Sequence, residues 1–374
     1  MELNQMKFLK ILVALMAIAL TAQTTLCQTV TAQIVNGIRN AALYSGSDIG
    51  AQINNAMGSG GTVMIPDGTY SFSTTISVVT PTVSGLTVDC GSNHTTLNYT
   101  GSGDAVYVSS TSGPSPSALI VFRNCTFNGS GATSTANGVH VQNASGVVLE
   151  NCIVENFKHY GVYDQGAIDS LYENVNALSN GVNLLNTPDA SSGTSTNGMR
   201  WTGGSLQYAT VTNYWEMPAS AGRDQLNIVQ TTMELTASQN IPQAIVEACD
   251  SCTIRDSYIE YLGASSGAAF PDVVIGNASG ICGGTGTSQT VKHMRIENNY
   301  TIFPSGSNGY CVVNAQEVTF EDNNEQGIPD YFVIFPSSPT IGISNVTLIG
   351  GIWNWSVAAT NDGSTYLYTF LPPA

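Results

Sequence analysis

Apolar and polar residues alternate in short bursts along most of this chain. The clearest stretch runs Val147-Val148-Leu149-Glu150-Asn151-Cys152-Ile153-Val154-Glu155-Asn156, then Phe157-Lys158-His159-Tyr160, then Gly161-Val162-Tyr163-Asp164. Val147, Leu149, Ile153 and Val162 recur at the period of a strand with one buried face. Asn151 falls between the first two bursts, and Asn suits a tight turn because it tolerates left-handed backbone angles. The pattern predicts three short strands joined by turns, with Ile153 pointing inward.

The same unit returns. With Asn151 as the register mark, turn residues fall at 124, 151, 174, 203, 230, 256, 298, 322 and 350, mostly 23 to 29 residues apart. The 42-residue step from 256 to 298 predicts an inserted loop. The turn column reads Asn, Asn, Asn, Gly, Gln, Asp, Asn, Asp, Gly, so eight of nine residues suit a turn. A second strand column begins at Gly138-Val139, Gly161-Val162 and Gly181-Val182, and more loosely at Tyr310. Strand repeats of this length specify a β-solenoid, in which no coil buries its apolar residues alone and stacked coils share one core.

The three-strand coil with an Asn-type turn resembles the right-handed parallel β-helix of the pectate lyase superfamily. Gly60-Gly61-Thr62-Val63-Met64-Ile65-Pro66-Asp67-Gly68-Thr69-Tyr70, after a short helical pattern, resembles the opening of its rhamnogalacturonase/epimerase-like branch. The resemblance covers roughly residues 45 to 355. It implies an all-β, single-stranded right-handed parallel β-helix of about nine to ten coils. It leaves activity open, because that branch mixes lyases, hydrolases, epimerases and phage tailspikes.

The division expected along the chain is a signal peptide over 1–32, an N-terminal segment and capping helix over 33–58, the solenoid over 59–355, and a C-terminal cap or tail over 356–374. Lys7 and Lys10 precede an apolar run, Ile11 to Leu20, that is short for a bilayer span. This predicts a secreted or cell-surface protein with no membrane segment after signal removal. Ile49, Ile53, Ala56 and Met57 lie at helical spacing behind Ser47, an expected N-cap. The helix would cover the open first coil.

The 374 residues carry 10 Lys and Arg against 26 Asp and Glu. Without residues 1–32 there remain 8 basic and 25 acidic side chains, a net charge of −17. Nucleic acid is excluded as a partner class, since phosphate contacts need Lys and Arg. Bare polyuronic acids are disfavoured for the same reason, and a neutral glycan is easier to bind. Cys125 and Cys152 each follow a turn residue, which predicts a buried cysteine column with Cys90 one coil earlier, or else a disulfide. Cys249-Asp250-Ser251-Cys252 has no second pair at zinc spacing, so a turn or a local disulfide is expected rather than a metal site.

Aligning the strands after the long loops on Gly-Val places Tyr107, His140, Tyr163, Asn183 and Trp215 in one outward column. Rings about 4.8 Å apart along the coils make either a sugar-binding platform or a ladder that stabilises the stack. The inward column reads Val108, Val141, Asp164, Leu184, Glu216, Ile245, Ile275 and Val312. Asp164 and Glu216 interrupt it two coils apart, roughly 9 to 10 Å, near the upper limit for an inverting glycosidase pair. They are either the catalytic carboxylates or a local strand irregularity with solvated acids.

In the hydrolase branch that the resemblance brings in, the signature includes an Asn-Thr-Asp strand, paired Asp, Gly-His-Gly and Arg-x-Lys. Asn186-Thr187-Pro188-Asp189 echoes the first imperfectly, and the chain has neither paired Asp nor Gly-His-Gly. A lyase would use an Arg or Lys base beside calcium-binding Asp, and Lys158, Arg200 and Arg223 are the basic residues of the central coils. Calcium is thus the cofactor that a lyase would imply. The expectation is a polysaccharide partner, with a glycan-cleaving enzyme and a non-catalytic glycan-binding β-helix as the two readings.

Overall fold

The computed structural model describes residues 34–35, 37–91, 95–114, 119–194, 196–217, 225–236, 241–261, 271–276, 291–303, 308–312, 315–327, 331–335, 344–350, 358–359 and 369–371. The expected leader, Arg223 and most of the expected insertion between 256 and 298 and of the C-terminal tail lie outside these residues. The chain winds into a parallel β-solenoid with three faces of 14, 10 and 11 strands, here called sheets 1, 2 and 3. One coil shows the plan: Val147–Glu150 in sheet 1, Ile153–Glu155 in sheet 2 and Tyr160–Gln165 in sheet 3. Each strand pairs in parallel with its counterparts one coil before and after, as Leu149 does with Phe122 and Tyr172. The exception is the short hairpin of Ile34–Val35 with Ile38–Asn40, which is antiparallel.

The turn column explains the repeat. All nine expected turn residues adopt positive φ, from 49° at Asp322 to 69° at Gly203. Asn and Asp accept this region at lower cost than other side-chain-bearing residues. Their side chains also stack: Asn174 Nδ2 donates to Asn151 Oδ1 at 3.3 Å, and Asn298 Nδ2 donates to Asp256 Oδ1 at 2.7 Å. At Gly203 a Cβ would lie 2.5 Å from Asn174 Oδ1, so the neighbouring coil leaves room for glycine there.

The same turn corrects the expected direction of Ile153. Leu149 points inward, and after the left-handed residue Asn151 the fully buried side chains are Cys152 and Val154. Ile153 is half-buried on the outer face, in a shallow groove of about 240 Å³ with Thr126, Asn151, Asn174 and Asn176. The left-handed step turns the corner while keeping even-numbered alternation from Cys152 onward, so strand phase does not carry through it from Leu149.

Inside, Phe122, Leu149, Tyr172, Trp201, Ile228 and Ile254 follow one another in register on sheet 1, all buried. Each large apolar side chain so buried contributes about 1.5–3 kcal/mol. Helix α1 (Ile49–Met57) closes the first coil with Ile49, Ile53, Ala56 and Met57 in the same core. Its N-cap is Asp48 rather than Ser47: Oδ1 accepts from Ala51 N at 2.9 Å, while Oδ2 accepts from the amides of Ser73 and Thr74. One carboxylate thus caps the helix and fastens it to the sheet. Burial alone would raise the Asp48 pKa, but these backbone donors hold it below the ordinary carboxylate value.

The cysteines form bonds more often than a free column would. Cys90 is joined to Cys125 and Cys249 to Cys252, and Cys311 is also disulfide-bonded. Asp89 pairs with Arg123, which puts Cys90 level with Asn124 and one step short of the column expected for it. Cys152 remains a free, buried thiol, pushed up to about 12 by burial, so it is held as an inert hydrophobe.

A second set of amides braces the corner between sheets 2 and 3. Asn180 Nδ2 donates to Val154 O and Asn183 Oδ1; Asn183 Nδ2 donates to Gln207 O and Asn213 Oδ1; Asn213 Nδ2 donates to Glu234 O and Gln243 Oε1. All four amide side chains are fully buried. Each binds the backbone of sheet 2 or its neighbour in the next coil, so the row stitches successive coils together.

Two stability outcomes follow from this packing. Val154→Asp buries an unpaired carboxylate and is expected to cost several kcal/mol, roughly 3 or more, whereas Ile153→Asp is expected to cost about 1 kcal/mol or less. Equal losses in denaturant titrations would overturn the assigned faces. Asn213→Ala leaves Asn183 and Gln243 without their shared partner and is expected to cost roughly 2–4 kcal/mol, against about 1 kcal/mol or less for Asn151→Ala at the exposed turn.

Candidate functional site

The outer face of sheet 3 collects the chemistry. Tyr107, His140 and Tyr163 fall in one register column, as expected, and the column continues through Leu185 to Trp215. Asn183 does not belong to it. Val162 pairs with Leu184 rather than Val182, so the strand is displaced by two residues from the Gly-Val alignment. The cause lies at the corner: Asn180 and Asn183 bond to each other there, and Gly181 N and Val182 N bond to Phe157 O and His159 O. Asn183 is fully buried in that brace.

The rings pack on one another. His140 stacks on Tyr163 with centroids 4.3 Å apart and planes at 11°, and Tyr107 leans on its other side at 5.1 Å. Tyr160 meets Tyr163 edge-on at 5.1 Å and stacks against His159 at 3.5 Å. Five rings therefore form one patch over three coils, offering ring edges and hydroxyls more than open faces. Burial pushes the Tyr160 and Tyr163 hydroxyls above their ordinary pKa, so both remain proton donors at neutral pH.

Polar groups thread this patch. Asp104 Oδ2 meets His140 Nδ1 at 3.0 Å, and Asp104 Oδ1 accepts from Asn137 Nδ2 at 2.7 Å. His140 Nε2 faces Gln165 Oε1 at 3.1 Å, while His159 Nδ1 lies 2.8 Å from Asn137 Oδ1. A hydrogen-bonded chain thus runs from His159 through Asn137, Asp104 and His140 to Gln165. Burial lowers the His159 pKa, opposed by the charge of Asp104. Tyr107 donates to Gln142, whose Nε2 lies 3.4 Å from Asp189 Oδ1. Farther along, Trp215 Nε1 donates to Glu247 Oε1 at 3.0 Å.

Asp189, from the imperfect Asn-Thr-Pro-Asp motif, pins the loop that borders the patch. Its backbone pairs with Thr194, and its carboxylate accepts from Ser191 N at 3.1 Å and Ser191 Oγ at 2.8 Å. Burial alone would raise its pKa, but hydrogen bonds from Ser192 and Ser191 hold it below the ordinary value. Sequence reading did not single out Asp104, Gln142, Gln165 or Asp189 as site residues. For Asp104, Gln142 and Gln165 the signal was positional, since each lies on a strand carrying one of the aromatic residues, whereas Asp189 belonged to the imperfect motif.

Asp164 and Glu216 do share one inward column, two coils apart, as expected. The residue between them is Asn186, not Leu184, through the same two-residue displacement. The next position holds Val246, not Ile245, one residue on, because Ile245 pairs with Trp215. Both carboxyls are sealed inside the core at 0% exposure. A glycan lying on the outer face reaches neither, so this geometry corrects the expectation that they act on substrate. Tyr172 donates to Asp164 Oδ1 across the core, and Tyr214 donates to Glu216 Oε2 at 3.1 Å. Of the basic candidates, Arg200 is exposed on sheet 1, bonded to Thr202, and Lys158 is exposed in the loop before Tyr160.

Fold and face together define a parallel β-helix protein with an aromatic and carboxylate-bearing outer face. Among solved structures the chain is similar to PfbA, a surface adhesin of Streptococcus pneumoniae, with TM-score 0.59 and 11% identity over 84% of this chain and 86% of that one. It is also similar to DFA-IIIase from Arthrobacter chlorophenolicus A6 without its lid in complex with GF2, with TM-score 0.56 and 10% identity over 91% of this chain and 100% of that one. ORF18 of Geobacillus virus E2 matches with TM-score 0.54 and 12% identity over 90% of this chain, which spans 64% of that protein. At these identities the likeness is one of fold. No protein-family model matches the sequence, and no curated protein matches it.

The Asp189 clasp has a pH signature. Its folded pKa is depressed, so its contribution is present above the unfolded value of 3.8 and is lost as pH falls through the lower folded value. Hydrogen-exchange protection of the Ser191 and Gly193 amides is expected to drop between about pH 5 and pH 2. Asp189→Asn is expected to show the weaker protection at both ends. Unchanged protection in the variant at pH 5 would remove the clasp.

Proposed function

We infer that this chain is a secreted or surface-displayed polysaccharide-binding β-helix protein, of the pectate lyase superfamily type, that holds a glycan along the outer face of sheet 3. The observation that carries the reading is the five-ring patch threaded by Asp104, Asn137, Gln142, Gln165 and Asp189 over successive coils. Ring edges and hydroxyls pack against the apolar and polar faces of a sugar, and the carboxylates and amides accept and donate to its hydroxyls. The repeat of the coils along one axis suits a linear polymer. Tyr107, His140, Tyr163 and Trp215 are its contact residues. The disulfides fit an oxidising compartment and agree with the signal-like first residues.

Net charge favours a neutral glycan over a bare polyuronate. Among the described residues no group of three or more His, Cys, Asp or Glu is placed to hold a metal ion, and no calcium-dependent step is part of this reading. A cleaving activity is the second reading, favoured by the Asp104–His140 pair, in which the carboxylate fixes the imidazole for proton transfer.

A panel of neutral, acidic and amino-bearing polysaccharides, assayed for binding and for reducing-end or unsaturated-product release, tests both. Binding to a neutral member is expected, weakened about tenfold or more in Tyr163→Ala and Trp215→Ala, with each melting point recorded to separate contact loss from unfolding. No binding across the panel, or undiminished binding in both folded variants, overturns the assigned face. Product release that disappears in His140→Gln moves the protein to the cleaving class.

A further inference from the structure

The core of the central coils contains a line of polar side chains that the glycan face does not use. Asp164, Asn186 and Glu216 occupy consecutive positions of one inward column on sheet 3, and all three are fully buried. Tyr172, reaching across from sheet 1, donates to Asp164 Oδ1. Asn186 Nδ2 donates to the Tyr214 hydroxyl at 3.5 Å, and that hydroxyl donates to Glu216 Oε2 at 3.1 Å. The links on either side of one gap thus run in the same direction.

The gap lies between Asp164 and Asn186. Asp164 Oδ2 and Asn186 Oδ1 are both buried, and neither makes an aligned hydrogen bond among the described residues. They belong to directly paired residues, so their side chains are neighbours about 4.8 Å apart at the backbone. An ionised Asp164 would leave two unpaired acceptors on neighbouring side chains in a dry core, an arrangement that costs several kcal/mol or more. One proton removes the conflict.

We propose that Asp164 is carried in the folded protein as a neutral acid whose Oδ2–H donates to Asn186 Oδ1. This completes a one-way relay, Tyr172 to Asp164 to Asn186 to Tyr214 to Glu216, and makes the central coils a pH-sensitive element. The proposal rests on the interior alone and stands whether or not the outer face binds glycan. The groups acting on Asp164 agree with it. Burial pushes its carboxyl up to about 7, opposed by the Tyr172 hydroxyl and, more distantly, by His140 on the neighbouring strand. Ser170 lies beside the carboxyl without an aligned hydrogen bond. Glu216, the other acid of the column, stands two coils away.

The folded chain holds this proton more tightly than the unfolded chain, whose Asp ionises near 3.8. The contribution is therefore complete below that value and is lost as pH rises through about 7. Deprotonation breaks the relay inside the strand Tyr160–Gln165, whose outer side carries Tyr163.

Asp164→Asn tests the assignment, because the amide accepts from Tyr172 and donates to Asn186 as the neutral acid does. The wild-type melting temperature is expected to fall by several degrees between about pH 5 and pH 8.5, and the variant to lose most of that fall and to melt higher at pH 8.5. Infrared difference spectra supply an independent reading: a protonated carboxyl C=O band at pH 5.5, fading by pH 8.5, that is absent in the variant. A variant with the full wild-type pH dependence, or a wild-type spectrum in which the variant removes no such band, overturns the proposal.

Discussion

The left-handed residue at the end of each sheet 1 strand is the constraint on which the rest of the molecule depends. It bends the chain within a single residue, so that the strand of sheet 2 begins immediately and the coil stays narrow enough for side chains from three sheets to meet. Positive φ at this position limits the residue to Asn, Asp, Gly and the occasional Gln. Parallel stacking then requires that every coil make the bend at the same height. Register, core and outer columns all inherit their alignment from that one corner.

This is why the fold was legible in the sequence and parts of the site were not. The Asn-type column is a fixed mark that alternation alone can extend, and it located all nine corners, from Asn124 to Gly350. The corner between sheets 2 and 3 has no such mark. There the buried amides of Asn180 and Asn183 decide where the strand begins, and they do so through contacts with coils distant in sequence. Aligning Gly181-Val182 with Gly161-Val162 therefore misplaced Asn183 in the outer column and Leu184 in the inner one. Ile153 was misread for a related reason, because strand phase does not carry from Leu149 across Asn151. The Cys90–Cys125 bridge likewise depends on a one-step offset that only the paired strands reveal.

Sheet 3 carries two different environments on the two sides of the same strands. Outside, His140 and Asp104 belong to a lattice of rings and hydrogen bonds in which both are largely covered but not sealed. Inside, Asp164 sits one residue from Tyr163 and is closed off completely. The contrast shows how little a carboxylate's position in sequence says about its chemistry. Two acids at the spacing of a catalytic pair become, once turned inward, part of the scaffold, while Asp104, an acid that sequence reading passed over, keeps part of its side chain exposed on the outer side.

The amide row running from Asn180 to Gln243 gives the solenoid a mechanical grain. Asn183 and Asn213 each grip the backbone of one face and the side chain of the coil beyond, so neighbouring coils resist sliding as well as parting. To part these coils under tension, several side-chain bonds must break together with the strand pairs. The coils that follow the ring patch thereby resist tension more than strand pairing alone would allow.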